Sequence, residues 1–445
     1  MGDEELKAGI LEDVKRKGVE FITLQFVDMM GIAKNCEVPV SRLEDSLNIG
    51  FWFDGSSIDG FARIHESDMF LKPDVKTYAT LPWTNNKVAR IICDVYLDEK
   101  RPFEGDPRYV LRSALKKAKD EFGYEFKVGP ELEFFFFKMN GGMTTAPEVH
   151  DSAGYFDLSP VDLATEIRRE VVHALEAMGL RVEMMHHEVA PGQHEIDFRY
   201  DNALTIADSV ITYKNVMKTL GMKNGLYASF MPKPLYGING SGMHVHQSLW
   251  KDGKNVFFDA VDKYRLSKTA MSYIAGILEH ARALAAVVAP TVNSYKRLVP
   301  GYEAPAYVCW AAINRSALIR IPRDIAGRES GSRAEVRFPD PSSNPYLAFA
   351  AMLGAGLDGV RRNLDPGEPT EEDVYEFSAE DLAQRNIKML PASLKEAMDE
   401  LRGDEVVKAA IGKAYASLTA LQAKQWDAYR MQVTKWELET YLPVI

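Results

Sequence analysis

Three cysteines in 445 residues, at positions 36, 93 and 309, are too few and too scattered for a disulfide framework or a zinc cluster. Their odd number suits a reducing compartment. Basic residues are outnumbered, 53 Lys plus Arg against 64 Asp plus Glu, for a net charge of −11. The acids are dispersed, which argues against a nucleic-acid or anionic-membrane surface. The N-terminus, Met-Gly-Asp-Glu-Glu-Leu, lacks the basic start of a secretory signal, and the longest apolar stretch, 281–289, is too short to span a bilayer. No Gly-x-x-x-x-Gly-Lys-Ser/Thr loop exists, so a P-loop holds no nucleotide here. Internal repeats and low-complexity tracts are missing as well. A cytoplasmic protein with no nucleic-acid or membrane partner is expected, and 46% hydrophobic content suffices for two sizeable cores.

What is present is a succession of helix and strand signals. Leu6, Ile10 and Val14 predict a helix that stops at Gly18. Runs at 21–27 and 32–38 read as a hairpin around Asp28-Met29-Met30-Gly31, and strands at 51–53, 77–80 and 88–96 complete a small β-rich unit. The charged stretch 97–106, with Pro102 and Gly105, reads as a linker, dividing the chain into 1–104 and 105–445. The larger part opens with a helix at 107–122 and an aromatic strand at 129–137. A Gly- and Thr-rich loop follows at 140–154, then a helix from Ser159-Pro160 to Met178. Strands at 182–187, 195–200, 227–231, 243–249, 318–321 and 334–338 are interleaved with helices at 203–220, 267–288 and from Pro345. The closing helices carry Trp426, Tyr429, Trp436 and Tyr441 on an amphipathic segment that looks exposed.

Several strand-like segments present ionisable groups two residues apart, which puts them on one face. Glu131 and Glu133 head the aromatic strand, and His244 and His246 form a second pair. Arg333, Glu335 and Arg337 form a trio, and Glu188 and Glu195 bracket a Pro-Gly turn that can fold them together. Each has a plainer reading as a solvated strand edge or a core histidine. Together they favour Mg²⁺ or Mn²⁺ over zinc, because the donors are oxygens with few imidazoles. Five glutamates and one histidine are enough for two ions. Arg297, Arg315, Arg320, Arg333 and Arg337 crowd nearby, and hard cations beside guanidiniums suit phosphoryl transfer. Arg323 and Arg328 are expected merely to pair with surface acids. Asn239-Gly240-Ser241-Gly242 could let backbone amides approach a small ligand.

Phe-Asp-Gly-Ser-Ser at 53–57, Gly-Pro-Glu-Leu-Glu-Phe at 129–134, His-His-Glu-Val-Ala-Pro-Gly-Gln-His-Glu at 186–195 and Asn-Gly-Ser-Gly-Met-His-Val-His at 239–246 together resemble type I glutamine synthetase. So do Tyr-Lys-Arg-Leu-Val-Pro-Gly-Tyr-Glu-Ala-Pro at 295–305, Asn-Arg-Ser at 314–316 and Glu-Val-Arg-Phe-Pro-Asp-Pro at 335–341, in family order. The resemblance implies an α+β fold with a small N-terminal β-grasp domain and a large catalytic domain, built on a curved antiparallel sheet with flanking helices. It implies ATP-dependent ligation of ammonia to L-glutamate through γ-glutamyl phosphate, in a homododecamer of two hexameric rings. It assigns one ion to Glu133, Glu188 and Glu195, on the glutamate side, and another to Glu131, His244 and Glu335, on the ATP phosphates. Asn239, Gly240, Arg297 and Arg337 become glutamate-binding; Glu183, His246, Ser248, Arg320 and Arg333 become nucleotide contacts. Arg315 stabilises the phosphoryl group in flight. Asp54 of the adjacent subunit takes the ammonium proton, and Glu303 belongs to a flap that closes over the acyl phosphate, with Ser57 and Tyr155 in support. The aromatics of the C-terminal helix are expected to bury in the opposite ring.

The length, the step from Glu188 to Glu195, and Arg63 within Phe-Ala-Arg-Ile-His-Glu-Ser-Asp resemble the α subtype, in which Arg63 matches a position of glutamine feedback. Tyr375 stands in Asp-Val-Tyr-Glu-Phe-Ser rather than in the adenylylation motif of other relatives, so adenylylation is not expected. Small regulatory proteins are admitted as partners. Two alternatives stay open: a ligase of the same fold that uses an organic amine, and a non-catalytic relative. Asp54 with Glu303 favours ammonium over a bulky amine, and no metal ligand has been lost.

Overall fold

Gly18 ends the first helix, Asp3–Lys17, as its sequence predicts, and Ile10 and Val14 are the residues that helix buries. The computed structural model describes residues 2–58, 60–61, 68–139, 147–323 and 329–445. Six strands build the first sheet: β1 (Phe21–Val27), β2 (Ala33–Pro39), β3 (Phe51–Asp54), β4 (Asp68–Pro73), β5 (Ala79–Thr80) and β6 (Val88–Tyr96). Their order is β2-β1-β6-β4-β3, with β1 and β6 parallel, and the sheet closes over its own core of Ile22, Leu24, Ile91 and Val95. The expected strand at 77–80 shrinks to β5, because Asp74 caps a 3-10 turn over Val75–Thr77.

The second sheet has ten strands. They are β7 (Glu125–Lys138), β8 (Val182–His187), β9 (Gln193–Phe198), β10 (Asp201–Asn202), β11 (Leu226–Ser229), β12 (Met243–Lys251), β13 (Lys254–Asn255), β14 (Tyr307–Ala311), β15 (Ala317–Arg320) and β16 (Ala334–Val336). The main path runs β14-β15-β16-β12-β7-β9-β8, antiparallel except for the parallel pair β14–β15. Sequence reasoning missed β14, five residues that begin two positions after Pro305. On β7, Leu132, Phe134 and Phe136 enter the main core, while Phe135 and Phe137 stack at 5.7 Å in a smaller cluster with Ala190. Burying each such ring stabilises the fold by about 2–3 kcal/mol.

The helix Pro107–Phe122 has the predicted bounds, capped by Asp106 and ended by Gly123. The helix expected from Ser159 starts only at Thr165; residues 158–164 are turns, where Asp162 accepts from Ala164 N. Of the loop 140–154, residues 140–146 lie outside the described residues. One helix, Lys268–Val288, is after all long and apolar enough to cross a bilayer by length and composition. However, 78% of its apolar window is buried, so it is a core helix, packed on Pro345–Arg362. The two backbones touch there. A Cβ on Gly276 would meet Ala355 O at 2.3 Å, and one on Gly359 would meet Ser272 O at 2.1 Å. The C-terminal segment forms two helices, Ala414–Arg430 and Lys435–Tyr441, the second leaving Trp436 and Tyr441 exposed.

Candidate active site

Strand register collects the ionisable residues. Glu131 on β7 stands opposite His244 of β12 on one side and Asp197 of β9 on the other. Glu133 is opposite Glu195, which is opposite His186 of β8. Across β12, His246 faces Glu335 of β16, and Glu335 faces Arg320 of β15. Side chains opposite one another in register share a face, so three short cross-strand lines of acids and imidazoles lie on one face of the sheet, one of them ending in Arg320. Like charges opposite one another repel, and the arrangement calls for cations.

Fourteen of the sequence-predicted residues line one cavity of about 280 Å³. They are Glu131, Glu133, Glu188, Glu195, His244, Glu335, Asn239, Gly240, Arg297, Glu303, Arg315, Arg320, Arg337 and Tyr155. Glu183, His246, Ser248 and Arg333 line a neighbouring cavity of about 500 Å³. Glu131, Met184 and Asp197 belong to both. Arg320, also expected among the nucleotide contacts, lines the first cavity. Arg323, expected to pair on the surface, has no ion pair among the described residues and lines the second cavity. Asp54 sits exposed on β3 and lines neither. Arg63 and Arg328 lie outside the described residues.

Glu131 is held at both oxygens, by His246 Nε2 at 2.6 Å and His244 Nδ1 at 3.2 Å. Glu335 is buried between Arg337 Nη1 at 2.5 Å and Arg320 Nε at 2.6 Å. Burial raises the pKa of both carboxyls, but the imidazoles, with Arg337 for Glu335, hold them below the ordinary value. Ligand atoms of Glu131, His244 and Glu335 lie within 4.8 Å of one another, and so do those of His186, Glu188 and Glu195. Glu133 stands beside the second group. Its Oε2 accepts from Gln193 Nε2 at 2.8 Å and Gly242 N at 3.0 Å, while Oε1 lies 3.9 Å from His244 Nε2. Burial and then Glu133 push Glu188 up to about 8, and burial and then Asp197 push Glu195 well up. Asp197 is pushed up to about 8 by burial and Glu131. Among the described residues no guanidinium or ammonium pairs with these three acids. His186 Nε2, 3.1 Å from Glu195 Oε1, belongs to an imidazole whose pKa burial lowers. Oxygen donors crowded so closely fit a hard divalent cation.

The guanidiniums complement them. Arg297 is buried and donates from Nη1 to Phe338 O and from Nη2 to Arg337 O, at 3.0 Å each. With a further contact to Pro339 O at 3.3 Å, two of its five N–H groups remain for a ligand. Its approach requires a glycine, since a Cβ on Gly242 would lie 2.5 Å from Arg297 Nη2. Arg337 Nε is buried without a hydrogen-bond partner. Arg315 is exposed and lines the cavity. Glu303, in a left-handed conformation (φ 57°), accepts from Asn239 Nδ2 at 2.9 Å. The neighbouring Tyr302 ring lies 3.8 Å from Lys233 Nζ, and Ala304 O accepts from Tyr375 OH at 2.8 Å. Sequence reasoning missed His186, Gln193 and Asp197. The last two are spaced two residues either side of Glu195, the same signal that singled out the other pairs.

Residues 104–441 match the description "Glutamine synthetase, catalytic domain", and residues 18–98 match "Glutamine synthetase, beta-Grasp domain". The chain is 51% identical to a glutamine synthetase of Methanosarcina mazei over 442 residues, covering 99% of this chain and 98% of that one. It is also 51% identical to a glutamine synthetase of Thermus thermophilus over 444 residues, with 98% of each chain covered. A solved structure named "GmaS/ADP complex-Conformation 1" superposes with a TM-score of 0.88 at 32% identity, over 97% of this chain and 99% of that one. The β-grasp sheet, the cross-strand lines of acids and these full-length likenesses agree, and the chain belongs to the glutamine synthetase family.

Proposed function

We propose that this chain joins ammonia to the γ-carboxylate of L-glutamate by way of γ-glutamyl phosphate, converting ATP to ADP and phosphate and giving L-glutamine. The observation that carries the reading is the set of acids and imidazoles that pairwise register places on one face of β16, β12, β7, β9 and β8, walled by arginines. Glu131, His244 and Glu335 hold one divalent ion, Mg²⁺ or Mn²⁺, and Glu133, Glu188 and Glu195 hold the second. Bound there, such ions neutralise the charge of the transferring phosphoryl group. Arg297 and Arg337, with unused N–H groups, grip the substrate together with Asn239 and Gly240. Glu183, His246, Ser248 and Arg333 line the cavity that takes the nucleotide, and Arg320 contacts its phosphates from the wall of the first cavity. Arg315 faces the phosphoryl group. Glu303 closes the flap, excludes water and completes the ammonium site with Asp54 of an adjacent subunit.

That Asp54 lines neither cavity of its own chain supports a site shared between subunits, in a homododecamer of two hexameric rings. The exposed Trp436 and Tyr441 support contact between rings. That the first sheet ends with Tyr96 and the second begins at Glu125 supports a division at 104/105. Free Cys36, Cys93 and Cys309 support a cytoplasmic setting. Arg63 mediates feedback by glutamine as in the α subtype, Tyr375 is structural, and small regulatory proteins are further partners.

The test is phosphate release from ATP, which should require glutamate, ammonium and Mg²⁺ together. Ethylamine supporting faster release than ammonium would reassign the chain to amine ligation. Equal inhibition of the parent and Arg63→Ala by glutamine would remove the feedback role.

A further inference from the structure

Behind two of the three glutamate-side acids, Glu188 and Glu195, stands a histidine that does not line the cavity. His187 precedes Glu188, His194 precedes Glu195, and both are fully buried. Their rings meet edge to face at 4.6 Å. His187 Nδ1 lies 2.7 Å from Glu188 O, and its Nε2 lies 2.9 Å from Asp151 Oδ1. His194 Nδ1 lies 2.7 Å from Arg168 Nη1, and Arg168 is paired with Asp162.

Ligand atoms of Asp151, His187 and His194 fall within 4.8 Å of one another, close enough for a cation by distance alone. Their hydrogen bonds exclude one. A guanidinium carries only N–H donors, so His194 Nδ1 is the acceptor and its ring proton sits on Nε2. Neither nitrogen of His194 then has a lone pair to offer, and two remaining ligands do not cage an ion.

The cluster braces the hairpin instead. The Asp151 carboxylate touches both limbs: Oδ1 accepts from His187 beside Glu188 and from Gly192 N, at 3.0 Å, in the turn that returns to Glu195. Its Oδ2 accepts from Leu163 N at 3.2 Å. Asp162, eleven positions along the same segment, anchors Arg168 behind Glu195. That segment also supplies Tyr155 to the cavity wall and sets Phe156 edge to face on the His186 ring, 4.7 Å between centroids.

We propose that Asp151 is a positioning residue for the glutamate-side ion, fixing Glu188 and Glu195 at their ligating separation through His187 and Gly192. This rests on the assignment of Glu133, Glu188 and Glu195 to that ion. Partners of this kind behind metal ligands typically change metal affinity by about 10- to 100-fold. Mn²⁺ titration of the full-length protein, followed by the electron paramagnetic resonance of free Mn²⁺, tests it alongside KM values for glutamate and ATP. Asp151→Ala should weaken one of two Mn²⁺ ions about tenfold or more and raise the glutamate KM, with the ATP KM held. Asp151→Asn, which keeps an acceptor oxygen, should lose less. Should Asp151→Ala not fold, His187→Gln should show the same one-ion loss. Glu188→Gln serves as the reference. If it binds both ions like the parent, the ligand assignment fails and the inference with it. If Glu188→Gln loses an ion while Asp151→Ala keeps both, the inference alone is overturned. Equal weakening of both ions, or of both KM values, also overturns it.

Discussion

His246 Nε2 lies 2.6 Å from Glu131 Oε1, and this contact forms the wall between the two cavities. Arg333 Nε donates to His246 Nδ1 at 3.2 Å, so the ring proton stays on Nε2 and points at the carboxylate. The cavity proposed for the nucleotide and the proposed ion ligand Glu131 are thereby tied through one imidazole. His246→Ala removes a charge-assisted hydrogen bond worth about 1.5–3 kcal/mol, and should raise the ATP KM about tenfold or more while moving the glutamate KM less. Steady-state kinetics with each substrate varied in turn will show which KM moves.

Arg315 lines the cavity from an exposed position, free to meet charge that develops only during transfer. Arg315→Ala should lower kcat by about 10²- to 10³-fold with little change in either KM. A loss confined to KM would assign it to substrate binding.

Glu303 is joined to Asn239 by a hydrogen bond of 2.9 Å, and its removal should loosen the proposed flap. Glu303→Ala should still form γ-glutamyl phosphate and lose it to water. ATP hydrolysis dependent on glutamate would then continue without ammonium, while glutamine output falls. Glutamine formation at the parent rate contradicts the flap's role.

Glu188 and Asp197, both pushed up to about 8, hold protons in the folded, cation-free protein that the unfolded chain has released. Between the ordinary carboxyl value and about 8, the folded state therefore binds more protons, and cation-free stability falls as pH rises. A divalent ion binds the ionised form, so the gain in Tm on adding Mg²⁺ should be larger at about pH 8 than at about pH 6, with protons released on binding. Equal gains at the two pH values would contradict the assignment.

His280 stands between Asp404 Oδ2 at 2.6 Å and Asp358 Oδ2 at 3.2 Å. Burial lowers its pKa, but the two acids raise it overall above 6.5, while both acids are held below 3.8 despite their burial. The imidazolium's contribution is full below 6.5 and disappears as pH climbs through its folded value. That of the acids is present above 3.8 and is lost as pH falls through their lowered values. Melting curves across pH should show a parent plateau between those limits. His280→Gln should be less stable by about 1–3 kcal/mol on the plateau and lack the decline above it.

Local signals carried much of this structure into the sequence. The helix Pro107–Phe122 announces both ends through Asp106 and Gly123, and the spacing of Glu131 and Glu133 told their shared face. The start of the helix at Thr165 was hidden, because Ser159-Pro160 mimics a helix entry that the following turns do not continue. Register between distant strands has no local trace, so the pairing of Glu133 with Glu195 and then with His186 emerges only in three dimensions. Asp151 was invisible for the same reason: its partners are 36 and 41 positions away.

On β7 the acids Glu131 and Glu133 occupy one face, and Phe135 and Phe137 continue that face into an apolar cluster. The gap between the two acids is thus a property of the main chain, two pleats or roughly 7 Å, rather than of any side chain. Substitution can exchange a ligand at either step, yet it leaves the ruler's divisions alone. A single inserted residue between them would send one carboxylate into the hydrocarbon interior, so this stretch of backbone tolerates editing of letters but not of length.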